Sequence, residues 1–76
     1  MANRRGGDNS ELHTEVFEML LEKVRNDAYP STTQLDMIEH MLGEGEVEQY
    51  ADVLLDKVRD ETYPSLDHLR RLLSLM

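Results

Sequence analysis

The hydrophobic positions fall into four groups, each with the spacing of one helix face. In the first, Leu12, Val16, Leu20, Val24 and Ala28 recur every four residues, and Phe17 and Leu21 run beside them. Such paired rows mark a wide apolar stripe on an α-helix. Asp8, Asn9 and Ser10 are good N-caps, and Glu11 stands at capping-box distance from Asp8, so the helix is predicted from about Asp8 to about Asp27. Pro30 ends it, because a proline lacks the amide hydrogen and forces the residue before it out of the α region.

Ser31 and Gln34 form a second capping-box pair, and Leu35, Ile38, Met41 and Leu42 give the next helix its apolar row. Gly43, just past that row, is the expected left-handed stop, with Gly45 two residues on. A third row, Val47, Tyr50, Ala51, Leu54, Leu55 and Val58, follows the acidic start Glu46 and Glu48, which suits a helix N-terminus. Tyr63-Pro64 turns the chain again and Ser65 caps a last helix. Leu66, Leu69, Leu72, Leu73 and Met76 are its expected buried row, with Leu75 and Met76 in the core. No stretch alternates with the period of a strand, so the fold class is all-α.

One phrase is written twice. Leu20-Leu21-Glu22-Lys23-Val24-Arg25-Asn26-Asp27-Ala28-Tyr29-Pro30-Ser31 returns thirty-four residues later as Leu54-Leu55-Asp56-Lys57-Val58-Arg59-Asp60-Glu61-Thr62-Tyr63-Pro64-Ser65. The reading is a compact four-helix arrangement made of two duplicated helical hairpins, about residues 8–43 and 46–76, within one domain over 8–76. An up-down-up-down bundle is the leading topology and two stacked helix-turn-helix repeats the alternative. In the bundle the first and third helices run parallel, so the two tyrosines are expected at one end, each packed on its own hairpin. Residues 1–7, with two adjacent glycines and little to bury, are expected to be a disordered leader.

Size and charge narrow the function. A chain of 76 residues has little core to spare, which favours self-association as a homodimer. It has no cysteine, hence no disulfide or thiolate metal site, and a cytoplasmic location is the expectation. The formal charge is −8, and setting aside the two positive charges of Arg4 and Arg5 leaves −10. That surface repels nucleic acid, so direct DNA binding ranks last, whereas a basic protein partner is attracted.

Catalytic and metal chemistry find no support in the spacing. No Asp or Glu precedes a histidine by three residues, as a bundle di-iron site requires. Asp36 and His40 share a helix face and are read as a surface pair. Ser31 and Ser65 are caps rather than nucleophiles, and the acids lack the pattern of a calcium loop. No enzyme activity, cofactor or metal is expected. At the thirty-four-residue offset Met19 coincides with Val53, and both fall among polar neighbours outside the main stripe. These two, with the repeated Tyr29, Tyr63, Arg25 and Arg59, are the candidate protein-binding residues. The functional expectation is a small acidic adaptor, accessory subunit or inhibitor acting by helix-face packing. A nucleic-acid mimic that binds a basic DNA-binding protein is the alternative.

Overall fold

The computed structural model describes residues 10–76, and these hold four helices: α1 (Ser10–Asn26), α2 (Thr32–His40), α3 (Glu46–Asp60) and α4 (Leu66–Ser74). The expected leader and the capping candidates Asp8 and Asn9 lie outside the described residues. No strand occurs among the described residues, and no helix there is long and apolar enough to cross a membrane.

Local chemistry sets the boundaries. At α2 the capping box forms: Ser31 Oγ accepts from the Gln34 amide and Gln34 Oε1 accepts from the Ser31 amide, both at 3.1 Å. At α4 the Ser65 hydroxyl accepts from the His68 amide at 3.3 Å, and Glu61, from the turn before, takes the Ser65 amide at 3.1 Å. The left-handed residue of the middle turn is Gly45 (φ 83°), directly before α3, and not Gly43. Glu46 explains the shift, because its Oε1 accepts the Gly43 amide at 2.8 Å and folds the turn back onto the start of α3.

Helix α1 packs against α2 and α3, and α3 packs against α4. By backbone proximity the neighbours run α2, α1, α3, α4, and side chains of α3 and α4 also reach α2, where Tyr50 and Arg71 both meet Glu39. Two contacts give α1 and α3 the same direction: His13 meets Glu46 near their starts at 2.8 Å, and Lys57 donates to the Asp27 carbonyl near their ends at 2.6 Å. Both Tyr-Pro turns therefore lie at one end, as expected. Lys57 thus reaches a carbonyl left without a helical partner just past the end of α1.

The core gathers Phe17, Leu21 and Val24 from α1, Leu35 and Ile38 from α2, and Tyr50, Val53 and Leu54 from α3. Burying each such side chain contributes about 1.5–3 kcal/mol. Helix α4 adds only the half-buried Leu72 and Leu75 to this cluster, and its buried residue is His68. The expected inward row of α4 is corrected here, since Leu66, Leu69, Leu73 and Met76 are exposed. Pro30 is buried, whereas Pro64 is exposed.

Candidate functional site

Helix α4 is attached by polar side chains. Arg71 is held at 2.8 Å by Asp67, at 2.9 Å by Glu39 and at 3.0 Å by Asp36, the last two on α2. Burial opposes the Arg71 charge, but hydrogen bonds to these three carboxylates outweigh it and hold the guanidinium more firmly protonated than usual. Arg71 and Arg70 in turn keep the Asp67 carboxyl below its ordinary range. On the adjoining side His68 faces Glu61 at 3.1 Å. Arg71 and His68 fix the rotation of α4, so the row Leu66, Leu69, Leu73 and Met76 turns outward, with Leu73 67% exposed. That row follows the i, i+3, i+7 spacing of a helix face.

The first two helices carry a second set of exposed apolar residues. Leu12, Val16 and Met19 of α1 and Met37 of α2 are exposed. A groove between the two helices is lined by Val16, Leu20, Asp36, Met37, His40 and Met41. Carboxylates Glu15, Glu18 and Glu22 flank Met19.

Polar contacts tie α3 to the first two helices between these faces. Tyr50 donates its hydroxyl to Glu39 at 2.5 Å, and burial together with that carboxylate pushes the phenol far above its ordinary value. Partial burial of Glu46 works against its charge, but hydrogen bonds from His13 and the Gly43 amide prevail and lower its carboxyl pKa.

The sequence-derived candidates separate. Met19 is 68% exposed, whereas Val53 is 7% exposed and belongs to the core, so Val53 is corrected from a surface residue to a packing one. It lies in a crevice with Arg25 of α1, where α3 meets that helix. Tyr29 and Tyr63 are 79% and 89% exposed, so neither ring packs on its hairpin as expected. Arg25 pairs with Glu22 at 2.8 Å and Arg59 with Asp56 at 3.4 Å, each on its own helix. His40 contacts the backbone carbonyl of Asp36, whose carboxylate is given to Arg71, so no side-chain pair forms between them. Among the described residues no three His, Asp or Glu side chains gather as a metal site would require.

Of the outward residues, Met37 was not singled out in the sequence, and Leu12, Leu66 and Leu73 were read as members of apolar rows rather than as a contact face. A signal was present: Leu73 stands where the first copy has Glu39, and Leu66 where it has Thr32. Set against protein-family models, curated proteins and solved structures, the chain matches none of them.

Proposed function

We propose that this chain is a non-enzymatic protein-binding module built from two helical hairpins, α1–α2 and α3–α4, and that it acts through its two apolar outer faces. The observation that carries the reading is the orientation of α4, with Arg71 and His68 inward beside Leu72 and with Leu66, Leu69 and Leu73 outward. A helix of an isolated domain ordinarily turns its apolar stripe to the core, and a contiguous exposed apolar row marks a contact surface. Acidic groups stand around these faces, and charge at the rim of a contact sets selectivity more than affinity. A nucleic-acid mimic would place carboxylates at the centre of its contact, whereas here the centre is leucine and methionine.

The test is photo-crosslinking inside cells, with a reactive analogue placed at Leu69, at Met37 or at Tyr29. Adducts to protein from the Leu69 and Met37 probes are expected. Their absence, or adducts from Tyr29 alone, would overturn the reading.

A further inference from the structure

The contacts that join the first two helices to the last two can be moved along the sequence by the thirty-four-residue offset, which asks what would meet if the packing order continued into another molecule. On the α3/α4 side of the internal interface stand Glu46, Tyr50, Arg71 and Lys57; their counterparts in the first copy are Leu12, Val16, Met37 and Lys23. On the α1/α2 side stand His13, Glu39 and the Asp27 carbonyl; their counterparts in the second copy are Val47, Leu73 and the Glu61 carbonyl.

All but one of the shifted pairs are chemically matched. His13 with Glu46 becomes Val47 with Leu12. Glu39, shared by Tyr50 and Arg71, becomes Leu73 shared by Val16 and Met37. Lys57 on the Asp27 carbonyl becomes Lys23 on the Glu61 carbonyl. The one mixed replacement is Asp36 with Arg71, which becomes Arg70 with Met37, where an arginine stem can lie on the thioether. The five apolar residues in these pairs, Leu12, Val16, Met37, Val47 and Leu73, are all exposed. Burial follows the same logic: Val53 and Tyr50 are buried while their counterparts Met19 and Val16 are exposed, and Leu21 and Leu35 are buried while their counterparts Leu55 and Leu69 are exposed.

We infer that a second copy of this chain occupies the α3/α4 outer face, docking its own α1/α2 outer face there head to tail, so that the helix packing of one molecule continues into the next. The inference rests on the protein-binding reading above and names the partner. Such an interface is heterologous, because the two surfaces differ, and it yields a ring or an open stack rather than a two-fold dimer. The polar pairs of the internal interface become apolar ones because a contact between molecules must offset the entropy of association, which an intramolecular one does not.

The experiment uses the full chain and two variants altered only at exposed positions: Leu12→Glu with Met37→Glu, which blocks one face, and Leu73→Glu, which blocks the other. Circular dichroism checks folding, and light scattering after size exclusion gives the mass. The unaltered chain is expected to grow in mass with concentration, and each variant alone to stay monomeric. An equimolar mixture of the two variants is expected to give a one-to-one dimer that grows no further, because each retains the face the other has lost. An unaltered chain that stays monomeric at every concentration would overturn the inference. So would a two-fold dimer that survives in one variant, or a mixture that does not pair. A monomeric chain whose Leu69 probe captures a different protein would overturn self-docking while leaving the protein-binding reading intact.

Discussion

Glu61 and His68 face each other across the second Tyr-Pro turn at 3.1 Å, each side chain less than a tenth exposed, and thirty-four residues earlier Asp27 and Gln34 make the same bridge at 2.9 Å. In both copies an acid from the end of one helix grips the first turn of the next. Gln34 also accepts the Ser31 amide, while in the second copy Glu61 takes the Ser65 amide. The knot is kept and the duties are exchanged.

His68→Gln should therefore be close to neutral, since it installs the amide that the first copy uses. His68→Leu leaves a nearly buried carboxylate oxygen without its partner, a loss of about 1–3 kcal/mol. In a domain of this size each kcal/mol lowers the melting temperature by about 4–8 °C. Thermal melts of the two variants check the ordering, and equal losses would mean the ring is held by shape rather than by Glu61.

Much of this fold was legible in the sequence because it is written in local rules. Ser31 with Gln34, the two prolines and the four-residue rows of Leu12 to Val24 each name their element without reference to the rest of the chain. The rotation of α4 is not a local property. Its leucine row marks an apolar face but not which neighbour receives it, and the answer depends on Arg71 meeting Glu39, thirty-two residues away. Val53 was misplaced for the same reason: α3 has α1 on one flank and α4 on another, and a single stripe drawn from periodicity covers only one of them.

Helix α4 inverts the usual rule about which residues stabilise. Arg71→Met removes the cation shared by Asp36, Glu39 and Asp67 and is expected to cost about 1–3 kcal/mol, because charge-assisted hydrogen bonds are lost and three carboxylates are left facing one another. Leu73→Ser, on the outward side, should stay within about 0.5 kcal/mol in dilute solution. Denaturant midpoints measure both, and a larger loss for Leu73 would mean that α4 is turned the other way.

Acid should loosen the contact between α1 and α3. The folded-state pKa of Glu46 lies below its ordinary value of 4.5, so its contribution to stability is complete above that value and is lost as the pH falls through the lower folded one. Glu46→Gln keeps an acceptor for the Gly43 amide but removes the charge beside His13. It should lower stability at neutral pH and flatten the acid limb of the stability curve below 4.5. Chemical denaturation across that range tests the sign, and an unchanged acid limb would remove Glu46 as its source.

The methyl spectrum of the unaltered protein, recorded over a concentration series, tests most directly whether the outer faces are where this molecule associates. Methyl signals of Leu12, Val16 and Met37 on one face and of Val47, Leu69 and Leu73 on the other should move together as concentration rises, with Leu35, Ile38 and Leu54 in the core staying fixed. Signals that do not move at any concentration, or that move on one face alone, would contradict the account.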